Sequence, residues 1–162
     1  MKKLIFTALA ALTATASAPA VADRWYLYSY RELAWGFINL DTLTCNQGVC
    51  TVWDADVNIE PASECDTQIT RVKVDCTDIK ARALFTVQYL KGKEVVSADM
   101  DDKWFYPIPG TVGNSMAQAV CKPDTRNKKL IFNFDSLPVE SSSIQKTMRD
   151  LRDKYRKNQL KQ

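Results

Sequence analysis

In Thr70-Arg-Val-Lys-Val-Asp-Cys76 polar and apolar residues alternate from Arg71 onward, so Val72, Val74 and Cys76 fall on one face of an extended strand. A strand of this kind buries one face and turns the other toward water or a second layer. The same period recurs on both sides of it. Ala81–Leu90 and Glu94–Ala98 flank Lys91-Gly92-Lys93, which has the composition of a hairpin turn. Thr42–Cys45 and Val49–Val57 flank Asn46-Gln47-Gly48 in the same way. Trp25–Tyr30 and Trp35–Leu40 are aromatic-rich strand segments, and Lys129–Phe134 sets Leu130, Phe132 and Phe134 on one face. Residues 58–66, with Pro61 and Ser63, read as a loop, and so do residues 99–109, with Pro107 and Pro109. Ser115–Cys121 predicts one or two helical turns.

The period changes near residue 141. Ser141-Ser-Ser-Ile144 supplies a helix cap, and Ile144, Met148, Leu151 and Tyr155 follow at spacings of 4, 3 and 4, which is one helical stripe. Lys146, Arg149, Arg152 and Arg156 lie among the charged residues on the other faces. The expected fold class is α+β and mostly β: a small antiparallel sheet packed with a C-terminal α-helix and stabilised by disulfides. Residues 23–140 form the β-rich domain and residues 141–162 a basic amphipathic helix.

Residues 1–22 have a different character. Met1-Lys2-Lys3 precedes an apolar run from Leu4 to Ala18 that ends in Ala-Ser-Ala and Ala-Val-Ala, the pattern of a secretory signal peptide cleaved after Ala22, or after Ala18 as second choice. The apolar run is too short to span a bilayer comfortably. The first cysteine is Cys45, so no lipid anchor is indicated. The chain is expected in the periplasm, at the cell surface or outside the cell, with no transmembrane segment after cleavage.

Export changes the meaning of the five cysteines at 45, 50, 65, 76 and 121, which are then disulfide partners before they are metal ligands. Two bridges drawn from five cysteines allow fifteen arrangements. Cys45 and Cys50 straddle a turn signal and suit a short hairpin bridge worth about 2 kcal/mol in the chain-entropy estimate. Cys76 points to the apolar side and Cys121 ends an apolar segment; a bridge between them would be worth about 4 kcal/mol. Cys65 is then left over, either free or paired between chains. There is no C-x-x-C spacing and no histidine, so a zinc site is not expected.

Charge is unevenly spread. Residues 23–143 carry 13 basic and 17 acidic side chains, residues 144–162 carry 7 and 2. The missing histidine removes the usual neutral-pH base and the Ser-His and Cys-His nucleophile pairs. No enzyme activity and no cofactor is expected. Two acidic groups remain. Asp54 and Asp56 share one strand face as a carboxylate pair of the kind glycosidases use, but nothing in the sequence sets them in a cleft. Asp99, Asp101 and Asp102 lack the spacing of a calcium loop and read as solvated. Contact residues for a partner are Trp104 and Tyr106 in an aromatic cluster, and Lys146, Arg149, Arg152 and Arg156 on the basic helix. That helix packs on the sheet, pairs two copies, or attracts acidic partners. A protein partner, without nucleic acid, is expected, and a homodimer has two routes, the helix stripe and Cys65.

Several segments taken in order resemble the bacterial surface-adhesin protein E family. They are Trp25, Phe37-Ile-Asn-Leu-Asp-Thr-Leu43, Val49-Cys-Thr-Val-Trp53, Val72-Lys-Val-Asp-Cys76, Tyr89-Leu-Lys-Gly92, Trp104, Ile108-Pro-Gly-Thr111 and Ala119-Val-Cys121. The likeness covers about residues 25–121. It implies a small antiparallel sheet with a helix, a Cys76–Cys121 disulfide, display on the cell envelope, and binding of host matrix or serum proteins without catalysis. Cys45, Cys50 and Cys65 depart from the family pattern, as does the lack of an evident lipid anchor. The rival expectation is a periplasmic inhibitor or envelope-maintenance protein, similar to lysozyme inhibitors.

Overall fold

Val72 and Val74 are buried on one face of a strand inside an eight-stranded antiparallel sheet. The structure is a computed structural model and describes residues 22–31, 33–58, 65–101, 103–134, 137, 145–147, 149, 150 and 153. In chain order the strands are β1 (Asp23–Tyr30), β2 (Ala34–Asn39), β3 (Thr44–Asn46), β4 (Val49–Asn58), β5 (Thr67–Asp75), β6 (Lys80–Leu90), β7 (Lys93–Asp99) and β8 (Ile131–Phe134). The helix α1 (Val112–Cys121) lies between β7 and β8. The leader through Val21, the segment 59–64, the stripe of Ile144, Met148, Leu151 and Tyr155, and Arg152 and Arg156 lie outside the described residues.

The spatial order is β7-β6-β5-β4-β2-β1-β8, with the short β3 folded onto β4. Strands β4 to β7 are sequential antiparallel neighbours, and residues 76–79 and 91–92 make the short turns of β5–β6 and β6–β7. Between β3 and β4, Gln47 and Gly48 both take positive φ, at 50° and 80°, the two-residue turn whose twist matches antiparallel strands. Lys91-Gly92 closes the β6–β7 hairpin in the same way. The long return from α1 brings β8 alongside β1, where Asp23 to Tyr26 pair with Phe134 to Ile131.

Alternation along these strands builds two apolar layers. One face gathers Tyr26, Ile38, Cys50, Val52, Val72, Val74 and Ala81, and α1 covers it with Met116, Ala117, Ala119 and Val120. The opposite face gathers Trp25, Leu27, Trp35, Phe37, Ala55 and Val57 around Leu137. Phe37 is fully buried there and meets Phe132 and Phe134 edge-on. Truncating it to alanine would cost about 3–5 kcal/mol. Both faces are therefore lined, which explains why β2 is buried almost continuously and does not alternate.

Helical positions recur at 145–147, 149, 150 and 153, so a C-terminal helix is present. Its Gln145 is buried, and its side-chain amide donates to the Asn58 carbonyl at 3.1 Å. Helix α1 is longer than expected and starts at Val112, because Thr111 caps it by accepting from the Asn114 amide. Arg126 closes its other end, donating to the carbonyls of Ala119 and Val120 at 2.6 and 3.2 Å. No helix among the described residues is long and apolar enough to cross a membrane.

Two disulfides form, Cys45–Cys50 across the β3–β4 hairpin and Cys76–Cys121 from the turn after β5 to the end of α1. They abut, with the Cys50 and Cys76 sulfurs 3.8 Å apart. Cys65 is not bridged; its thiol donates to the Thr67 carbonyl at 3.1 Å, and burial pushes its pKa up.

Candidate binding site

The segment after β7 is irregular but held. Phe105 exchanges two backbone hydrogen bonds with Ala81, both 2.9 Å, and so adds one rung to the β6 edge past the end of β7. Successive side chains of an extended segment point to opposite sides. Trp104 accordingly turns to one side, where its ring lies 5.4 Å from the Lys80 ammonium and 4.8 Å from the Arg82 guanidinium. Phe105 turns to the other, into a cavity beneath the start of α1. Two cations on one indole fix the loop at its root. Beyond it, Tyr106 and Ile108 are 68% and 69% exposed, and Phe105 keeps 47% of its surface in water. Val95, Val96 and Met100 are also exposed, on and just past β7, the terminal strand in the sheet order, all of whose residues are exposed.

The cavity behind Phe105 has a volume of about 200 Å³. Its apolar walls are Val72, Ala83, Phe105, Val112 and Met116. Its polar floor is Tyr28, Asp54, Asp56, Gln68 and Thr70, all on the sheet face that α1 partly covers. Register explains the convergence. Asp54 and Asp56 stand two apart on β4, opposite Thr70 and Gln68 on β5. Tyr28 reaches them from β1 over Gly36 of the intervening β2. A Cβ at Gly36 would stand 2.6 Å from the end of the Tyr28 ring, so only glycine leaves the phenol this path.

The neutral members of the floor already have partners. Gln68 accepts from the Gln88 amide at 3.1 Å, and the Thr70 and Thr86 hydroxyls are 3.2 Å apart. Asp54 does not share this saturation: it is buried, and its Oδ1 has no hydrogen-bond partner. Burial raises its pKa well above the ordinary carboxylate range, and the neighbouring Asp56 raises it further, against a hydrogen bond from Tyr28. Asp56 is raised by burial and drawn back by Arg31. The Tyr28 hydroxyl is pushed well up, by burial first and then by the two carboxylates. Burial and their mutual repulsion disfavour ionising both carboxyls, so the pair holds a proton at pH values where isolated carboxylates hold none.

The residues expected from the sequence are distributed unevenly around this site. Trp104 and Tyr106 belong to its outer surface. Lys146 is exposed and Arg149 half-buried, on the helix that Gln145 ties to Asn58. Asn58 lies beside the Thr67–Tyr89 end of the β5–β6 ladder, whereas Trp104 sits over its Asp75–Lys80 end, about 25 Å away at ~3.3 Å per strand residue. The two groups of contact residues therefore do not form one patch. Asp101 pairs with Lys103 at 2.7 Å on the exposed surface. The reading of Asp54 and Asp56 as an unplaced pair missed the cavity, Tyr28 and Phe105. The signals were Tyr28 on an apolar strand and Gly36 between aromatic neighbours. Compared with protein-family models, curated proteins and solved structures, the chain matches none.

Proposed function

We propose that this is an exported, non-enzymatic binding protein that holds a protein partner, in a host matrix, serum or cell-envelope setting, against the surface formed by Phe105, Tyr106 and Ile108. The observation that carries the reading is the exposure of three large apolar side chains within four residues, on a segment fixed to β6 by the Phe105–Ala81 pair and to the cations by Trp104. Isolated exposed apolar residues need no explanation, but a contiguous set does. A loop already held in place loses little entropy on binding, and aromatic residues dominate binding energies at such surfaces. Two disulfides accord with an oxidising, exported setting. The leader-like residues 1–22 point the same way.

The test is solid-phase binding of the purified protein to matrix and serum proteins, compared with a Tyr106→Ser, Ile108→Ser variant. Both side chains are solvent-facing, so the fold should persist. Binding is expected to weaken at least about tenfold, which is ~1.4 kcal/mol. Unchanged binding would remove this loop from the contact surface. Binding to none of these proteins would end the adhesin-like reading.

A further inference from the structure

We infer that the cavity between α1 and the sheet is a binding site for an organic cation, an alkylammonium or guanidinium group whose charged head rests on Asp54 and Asp56 and whose stem lies against Phe105, Val112 and Met116. This does not depend on the protein-partner reading above. The floor has an unspent acceptor, and no lysine or arginine lines the cavity. Asp54 is 9% exposed, lines the cavity, and leaves Oδ1 without a donor. A buried acceptor in that condition costs free energy until a donor reaches it. The Gln68 amide donates to the Thr70 hydroxyl at 3.4 Å, and that hydroxyl lies 3.2 Å from the hydroxyl of Thr86.

The walls select the kind of donor. A calcium or magnesium ion needs six or more oxygen ligands, or retained waters, around it. Here every oxygen-bearing side chain stands on one floor and the cavity's other side is apolar, so ligands cannot surround an ion, and no group of three His, Cys, Asp or Glu side chains that could hold a metal occurs among the described residues. An amine or guanidinium on a short methylene chain matches both halves, its N–H groups meeting the carboxylates and its carbons the apolar wall. Tyr28 and Phe105 add aromatic surface that favours a cation.

Protonation supplies a signature. The titratable groups facing the site are Asp54, Asp56 and Tyr28, with Arg31 acting on Asp56; the residues that α1 and the Phe105 segment place along it, Val112, Gly113, Met116 and Phe105, carry no charge. A bound cation displaces the proton that the carboxylate pair holds, so binding releases a proton and tightens as pH rises.

Calorimetric titration of the purified protein with agmatine and n-butylamine tests this at about pH 5 and pH 8, in two buffers of different ionisation enthalpy. One-to-one binding is expected, stronger by about tenfold or more at the higher pH, with proton release, and with no binding of n-butanol. Asp54→Asn keeps the shape of the site and should weaken binding at least about tenfold. Gly113→Leu should abolish it without touching a carboxylate, since a side chain there meets only ordinary contacts with Pro107, Phe105 and Thr111 before extending over the mouth. Absence of amine binding at both pH values, equal binding by Asp54→Asn, or preferential binding of calcium would each overturn the inference.

Discussion

Asp54 shows how a single side chain can set a pH dependence for the whole fold. Its folded pKa is raised above that of the unfolded chain, mainly by burial. The folded state therefore holds the proton more tightly than the unfolded state does. That contribution to stability is fully present below the ordinary carboxylate range, about pH 4, and is lost as pH rises through the raised value. Asp54→Asn removes the titration and keeps the shape. The variant is expected to melt higher than the parent near pH 8, by about 3–4 °C for each kcal/mol recovered, and the difference should close as pH falls toward 4. Melting curves recorded across that range check it, and a difference independent of pH would refute it. The period-two pattern made it legible that Asp54 and Asp56 share a face. It could not show that the face is covered, because Tyr28, Phe105 and Met116 arrive from strands and a helix far along the chain.

At the scale of elements, α1 depends on its ends more than on its composition. It carries no acidic residue in its first turn and no basic residue in its last, so the helix dipole gains nothing from within. Thr111 caps one end, also donating its hydroxyl to the Ile108 carbonyl at 2.6 Å, and Arg126 reaches back to the other. Thr111→Ala should cost about 1 kcal/mol, seen as a fall of roughly 3–4 °C in the melting temperature, while Thr111→Ser should restore most of it. An unchanged melting temperature for the alanine variant would show that the cap is idle. The strands were readable from alternation at Val72, Val74, Leu130 and Phe132, and the turns from Gly48 and Gly92. The start of α1 was not, because Val112 and Gly113 are poor helix formers and their placement follows from the cap and from packing on the sheet. The burial of β2 on both faces was likewise invisible, since Leu137 and β8 cover it from the end of the chain.

For the molecule as a whole, the bridges differ in what they constrain. Cys76–Cys121 spans 45 residues and ties α1 to the sheet, whereas Cys45–Cys50 spans 5 and closes a hairpin that its turn already favours. The chain-entropy estimate gives about 4 and about 2 kcal/mol. Replacing Cys76 and Cys121 together by alanine should therefore lower the melting temperature more than replacing Cys45 and Cys50, with the reverse order excluding this account. The two bridges are also chemically linked, because the Cys50 and Cys76 sulfurs stand 3.8 Å apart. If a reductant opens the hairpin bridge, the Cys50 thiolate can attack Cys76, form a Cys50–Cys76 bond, and expel Cys121 as a thiolate. Loss of the less important staple thus arms an internal exchange that unfastens the more important one. A mild reducing encounter would then cut the covalent tie of α1 to the sheet by reshuffling, without a second reducing equivalent.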